Sequence, residues 1–564
     1  MGRRKEILTG IFLLLWAAIF FPACGKTEKE APGSMASGGC PYDLCVIIVV
    51  DQFGMDYIRR FESGWTGGLA ELLRNGYFFR NAEVGHQITS TAPGHATLGT
   101  GNHPSYHGII DNRWYSRDLA TEVYSVKDSS SSGVGYDDFG KGSYSPAHME
   151  GVTFSEIFHR AFPQGTFVSL GQKDYAAICI GGKDADHVYW FDTTSGGNFV
   201  TSSYYRKSLP DWVETFNSRR YHEKFRTAQW ARPANEPPVS ARVRDDFFRY
   251  EGGFGFLSLY PHTFRQGARG EPGDFARWFK QTPWSDAMLL DFGRTCMDAL
   301  HLGNNDTPDV LCLCLKATDY IGHNFGPHSL EIWDHLQQLD GFLADFMADV
   351  EKRVDPERIL FVLTADHGIQ PIPEYVQQEN KAALRIADDY MNDISLIEEK
   401  LNHRFGRDIW FEKIARNAVY LNYEALARRN VRRSDVEEIV VREMRRIDWV
   451  DSVYGRTWLT SSGKKLNRKE AFFRNSFHEG HSGDIVFSPQ EFYVIGNIMD
   501  PAADHGSSHR MDRQVPLVFY NPATIEPAQD RSTPAFLKDL VPTLYRLFGL
   551  DVSVKMDGRP LDIP

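Results

Sequence analysis

The sequence has little cysteine, no C-x-x-C pair, no excess of basic charge and only one long apolar run. Without paired cysteines at metal-binding spacing, a thiolate zinc site is disfavoured. A formal net charge of −12 argues against a non-specific nucleic-acid binder. The apolar run, Ile7 to Phe21, is short for a membrane span and follows Arg3, Arg4 and Lys5. That arrangement reads as an export signal over residues 1–24. A glycine cluster at Gly252-Gly253-Phe254-Gly255 lacks the strand–helix setting of a nucleotide loop. The long stretches 113–300 and 375–500 are neither repetitive nor of low complexity.

What is present is globular. The chain has 564 residues, 42% of them hydrophobic and 13% aromatic, enough for two or three domains or one large α/β enzyme with insertions. Ala23-Cys24-Gly25 resembles a bacterial lipoprotein processing site, and residues 25–40 are polar enough to act as a tether. The expected location is therefore the bacterial cell envelope: periplasm, or outer membrane through a lipid on Cys24. Phe21 is a weaker fit to that site than Leu, which leaves simple secretion open. Cys40 and Cys45 can close a small disulfide loop, whereas Cys312 and Cys314 alternate in an apolar strand and read as core.

Three apolar, β-rich runs share one design. Cys45 to Val50 ends in Asp51, Val310 to Leu315 leads to Asp319, and Ile359 to Leu363 leads to Asp366-His367-Gly368. Continuous apolar runs suit strands buried on both faces of a parallel sheet. In open α/β sheets the carboxyl edge is where ligands bind, so three carboxylates there form a pattern that one would not. Val515 to Tyr520 reads as another core strand and Phe536 to Phe548 as a closing helix. Residues 41–564 are expected to be one catalytic domain. Its cap insertions lie near 113–300, rich in Tyr, Trp, Gly and Ser, and near 375–500, with charged helix-like runs such as Arg428 to Arg446.

The stretch Ile88 to Gly101 reads as a loop turning into a helix, with Pro93 in the first turn. Thr91 then sits where free backbone N–H groups and the helix dipole favour an alkoxide or phosphoryl oxygen. Alone, it is equally a common N-cap threonine. Asp319 and His323 are four apart and can face one ion from one helical turn. Asp366 and His367 are adjacent, and His505 precedes a flexible Gly506. With Asp51 and Thr91 these make seven oxygen and nitrogen ligands without sulfur, enough for two catalytic Zn²⁺ sites. Paired ions suit in-line phosphoryl transfer.

In this order the motifs Asp51, Thr91-Ala92-Pro93-Gly94-His95, Asp319-x-x-x-His323, Asp366-His367-Gly368 and His505-Gly506-Ser507 resemble the alkaline phosphatase superfamily. Within it they are most similar to the single-chain, threonine-nucleophile phosphatases of the PafA type. The likeness spans nearly the whole mature chain, including Gly182 to Tyr205, Ser482 to Ile485 and Asp557 to Leu561. It implies a three-layer α/β/α sandwich with a mostly parallel central sheet, and two zinc ions per chain. Thr91 would be the nucleophile, forming a phosphothreonine. One ion would be held by Asp51, Asp366 and His367 beside Thr91, and the other by Asp319, His323 and His505. Asn112 and Lys173 match phosphate-binding positions. The expected partners are small phosphate esters, with no nucleic acid, and the expected state is a monomer.

One residue departs from the pattern. Where the phosphomonoesterases have Lys-Asp-Arg, this chain reads Lys173-Asp174-Tyr175. Tyr175 offers one neutral hydrogen bond in place of a bidentate guanidinium. That keeps a phosphodiesterase, or a broad phosphate- or phosphonate-ester hydrolase, as the alternative to a phosphomonoesterase. A sulfatase is disfavoured because no C/S-x-P-x-R motif stands at Thr91. A cofactor-independent phosphoglycerate mutase is disfavoured because its nucleophile is Ser. A non-catalytic envelope lipoprotein is disfavoured because all seven positions keep metal-capable side chains.

Overall fold

Strand β1 (Leu44–Val50) is wholly buried and lies in the middle of a ten-stranded sheet. The other strands are β2 (Tyr77–Phe79), β3 (Gly133–Val134), β4 (Phe167–Gly171), β5 (His187–Asp192), β6 (Asn198–Ser202), β7 (Asp309–Leu315), β8 (Ile359–Thr364), β9 (Leu517–Tyr520) and β10 (Ala528–Asp530). Their order is β10-β2-β9-β8-β1-β7-β4-β5-β6-β3. This computed structural model describes residues 39–564 except 137–140, 195, 252–258, 266–272, 388, 464, 497–500 and 551–553. The export segment 1–24, nearly all of the tether 25–40 and the Gly252–Gly255 cluster lie outside the described residues.

The central strands β8, β1, β7, β4 and β5 run parallel. Every residue of β1, β7 and β8 is buried, so the sheet is covered on both faces, as the apolar runs require. The mostly parallel expectation holds, with antiparallel pairing entering at the flanks: β9 is antiparallel to β8 and β2, and β6 is antiparallel to β5 and β3. The sheet is therefore mixed. The short reversal from β5 to β6 needs no helical crossover.

The stretch 113–300 is not a cap alone. It supplies β3, β4, β5 and β6 to the central sheet itself. The stretch 375–500 instead builds a separate four-stranded antiparallel sheet from Phe411–Ala415, Ala418–Leu421, Val450–Gly455 and Ile485–Pro489. That sheet has its own core around Leu401, Trp410, Val436, Val440 and Phe487. The charged run after Arg428 falls mostly in a helix over Arg433–Met444. Cys40 and Cys45 are free thiols, so no disulfide closes between them, and Cys312 and Cys314 are core residues. Among the described residues, no helix is long and apolar enough to cross a membrane.

Register places the site. Val50 pairs with Leu315, the Asp51 N–H donates to the Leu315 carbonyl at 2.9 Å, and Val49 pairs with Thr364. The chain that leaves β1, β7 and β8 therefore emerges side by side at one sheet edge.

Candidate active site

Thr91 is the first residue of helix α1 (Thr91–Thr100). Ser90 occupies the cap position in an extended conformation without a side-chain cap bond, so Thr91 is not spent as an N-cap. Its hydroxyl instead lies 3.3 Å from His367 Nε2 and 3.1 Å from Lys316 Nζ. Gly94 lets the helix come this close to the end of β8. A Cβ there would stand 2.7 Å from the Asp366 carbonyl oxygen and 2.8 Å from the Asp366 Cβ.

Three histidines of this region have one hydrogen-bonding pattern in common. His323 Nδ1 donates to the Ala503 carbonyl (2.8 Å), His367 Nδ1 to the Gly368 carbonyl (2.9 Å) and His505 Nδ1 to the Thr89 carbonyl (2.6 Å). A carbonyl oxygen only accepts, so each Nδ1 carries a proton, and in the neutral ring Nε2 keeps the lone pair. Those Nε2 atoms point at carboxylates. His323 Nε2 is 3.3 Å from Asp319 Oδ1, and His505 Nε2 is 3.7 Å from the same oxygen. His367 Nε2 is 3.4 Å from Asp366 Oδ2 and 3.5 Å from Asp51 Oδ1. The His367 and His505 rings stack with centroids 3.7 Å apart.

Burial, then the neighbouring imidazoles, holds His505 well below the usual histidine range, and burial lowers His367. Burial opposes charge on His323 most strongly, but Asp319, Asp504 and the Ala503 carbonyl together outweigh it and the net shift is upward. Burial first, then Asp366, pushes the Asp51 carboxyl far up. Asp51 Oδ1 is buried with no hydrogen-bond partner. An orphaned carboxylate oxygen among imidazole lone pairs fits a bound cation, and nitrogen and carboxylate donors suit zinc. The structure brings all seven expected ligand positions together. Asp319, His323 and His505 form one candidate cluster, and Asp51 joins His367 and Asp319 in another.

Of the other expected residues, Asn112 accepts the Ala92 N–H at 2.8 Å through Oδ1, which pins it next to Thr91 with its –NH2 left as the donor end. Lys173 precedes helix α2 (Asp174–Gly181), its Nζ 5.3 Å from the centroid of the Tyr175 ring. Tyr175 is buried and packs against Tyr124, whose hydroxyl donates to Asp174 at 2.6 Å. Burial dominates the upward shift of the Tyr175 phenol, and Lys316 lowers it.

Four residues of the site were not foreseen. His95 adds a second imidazole beside Asp366, at 3.3 Å. Gln52 donates its backbone N–H to Asp366 Oδ1 (3.1 Å) and its side chain to Asp319 Oδ1 (3.0 Å). Arg416, from the turn between two strands of the separate sheet, pairs with Asp504 beside His505. Lys316 directly follows β7 and touches both Asp51 and Asp319 at 2.7 Å. The signals for Gln52 and Lys316 were local, since each abuts a buried strand or its Asp. Arg416 carried none.

The chain is similar to known proteins over most of its length. The profile of the family described as type I phosphodiesterase / nucleotide pyrophosphatase matches residues 45–510. Alkaline phosphatase PafA of Elizabethkingia meningoseptica is 28% identical over 92% of this chain and 93% of its own length. Alkaline phosphatase PhoK of a Sphingomonas species is 29% identical over 93% of this chain and 91% of its own. The crystal structure of wild-type PafA superposes with a TM-score of 0.83 at 27% identity, covering 92% of this chain and 98% of that one.

Proposed function

The chain belongs to the type I phosphodiesterase / nucleotide pyrophosphatase family, and on that basis we propose that it is an exported phosphatase that cleaves small phosphate monoesters through a phosphothreonine on Thr91. The observation that carries this reading is the gathering of three tautomer-fixed imidazoles and three carboxylates in linked clusters, with His367 Nε2 3.3 Å from the Thr91 hydroxyl. Relatives named alkaline phosphatase that align over nearly the whole chain support it. Residues 1–24 would direct export, Cys24 would carry the lipid, and the chain would act as a monomer.

Zinc would be held by Asp51, Asp366 and His367 beside Thr91, and by Asp319, His323 and His505. Bound there, two ions supply the positive charge that favours an ionised threonine hydroxyl and an ionised leaving oxygen. Thr91 Oγ1 attacks phosphorus, and the ester oxygen departs with the electron pair of the broken P–O bond and takes up a proton. Water then attacks the phosphothreonine phosphorus. The P–Oγ1 bond breaks, the threonine hydroxyl re-forms and inorganic phosphate leaves. The amino terminus of α1 places backbone N–H groups and the positive end of its dipole at Thr91. Asn112 and Lys173 donate to the non-bridging oxygens and stabilise the charge that moves onto them.

Tyr175 favours a second reading, a phosphodiesterase. A monoester has an extra anionic oxygen that a guanidinium would hold in bidentate fashion, and a phenol gives it one neutral bond. The deciding experiment compares an aryl phosphate monoester with its methyl diester on the zinc-loaded enzyme lacking residues 1–24. A monoester preference supports the phosphatase, and a diester preference transfers the assignment. Thr91→Ala should abolish turnover while zinc content stays unchanged; near-normal turnover would remove Thr91 as the nucleophile.

A further inference from the structure

Lys316 is 3% exposed, and a charge so buried needs partners. It has three: Asp51 Oδ2 at 2.7 Å, Asp319 Oδ2 at 2.7 Å and Thr91 Oγ1 at 3.1 Å. The ammonium donates hydrogen bonds to Asp51 and Thr91 and forms an ion pair with Asp319. The backbone brings Lys316 next to these partners. Asp51 lies beside Lys316 in the parallel register, because its N–H bonds to Leu315. Lys316 also immediately precedes helix α3 (Ala317–Phe325), where spacing of three puts it on the face of Asp319.

The three oxygens come from both expected donor sets: Asp51 and Thr91 from one, Asp319 from the other. The ammonium is thus wedged between the sets, at oxygens that a divalent ion would need. We propose that Lys316 is a built-in cation that competes with metal for Asp51 and Asp319, so that the two ions of the centre bind with unequal affinity. The inference rests on the two-metal reading of the site. Asp51, Asp319 and Asp366 bring three negative charges. One divalent ion together with the ammonium balances them, and a second ion must enter a neutral centre and displace the ammonium from its carboxylates. Two of the three contacts of Lys316 go to Asp51 and Thr91, so the weaker ion is the one held by Asp51, Asp366 and His367.

The test is zinc titration by calorimetry, in competition with a chelator, on the intact chain and on Lys316→Met. The unaltered protein is expected to bind two ions with affinities about a hundredfold apart. In Lys316→Met the weaker site should tighten at least about tenfold, about 1.4 kcal/mol. Lys316→Arg retains the charge and should retain the gap, and the unequal affinities of the unaltered protein are measured whether or not either variant folds. Melting in excess chelator gives a second readout. Lys316→Met should melt below the unaltered protein there, because Asp51 and Asp319 lose their ammonium, and the difference should close or reverse in zinc. Two equal sites in the unaltered protein, or a weak site unmoved by Lys316→Met, would overturn the role of Lys316 alone. Absence of bound zinc would overturn the metal reading and this inference together, whereas loss of phosphatase activity with the same isotherms would fail only the proposed reaction.

Discussion

Gly94→Ala tests whether the helix that presents Thr91 is held by contact against the strand end that carries Asp366. Gly94 lies inside α1 without a positive φ, so helix propensity alone predicts that alanine stabilises by about 1 kcal/mol. Packing predicts the opposite. The new Cβ would lie 2.8 Å from the Asp366 Cβ and 2.7 Å from the Asp366 carbonyl oxygen. Carbon atoms in contact sit about 3.5–4.0 Å apart, so the helix must move by roughly 0.7 Å or more. Overpacking of this kind costs about 1–3 kcal/mol, which offsets the propensity gain and leaves a net loss of up to about 2 kcal/mol. The larger effect falls on chemistry. Thr91 is three residues away on the same rigid helix, and a displacement near 1 Å costs about a hundredfold in rate. The assay pairs thermal melting with kcat on an aryl phosphate. A variant that melts at or above the parent temperature with unchanged kcat would refute the reasoning, since the contact would then be yielding.

Two further outcomes follow from the geometry. Tyr175→Arg should raise the ratio of monoester to diester kcat/KM by about ten- to a hundredfold, the worth of one or two charge-assisted bonds. An unmoved ratio would mean that position 175 does not face the substrate, as its packing on Tyr124 would allow. Gly341→Ala, in helix α4 (Leu330–Glu351), meets nothing within 4 Å and should gain the propensity term, about 0.5–1 kcal/mol of stability by melting, with kcat unchanged.

Much of this centre was legible in the chain because its parts are local. A strand buried on both faces must be apolar throughout, so β1, β7 and β8 announce themselves, and the first carboxylate beyond each stands out by contrast. Asp319 and His323 declare a shared face through helical spacing alone. Thr91, His367 and His505 were readable as a set, through the resemblance of the ordered motifs.

Other features have no local signature. Strands β3 to β6 lie in an aromatic stretch that reads as a cap, and only their pairing with β7 and with one another makes them sheet. The carbonyls that fix the three histidine tautomers belong to Thr89, Gly368 and Ala503, and backbone acceptors carry no residue identity. Arg416 reaches Asp504 across 88 residues. Lys316 was visible as a lysine after a strand, but parallel register alone sets its ammonium beside Asp51. The sequence by itself determined which side chains can hold metal and attack phosphorus, because those are properties of residue type and short spacing. Tertiary structure decided which of them stand together and that the Lys316 ammonium lies between Asp51 and Asp319, because those depend on distances that chain neighbours do not set.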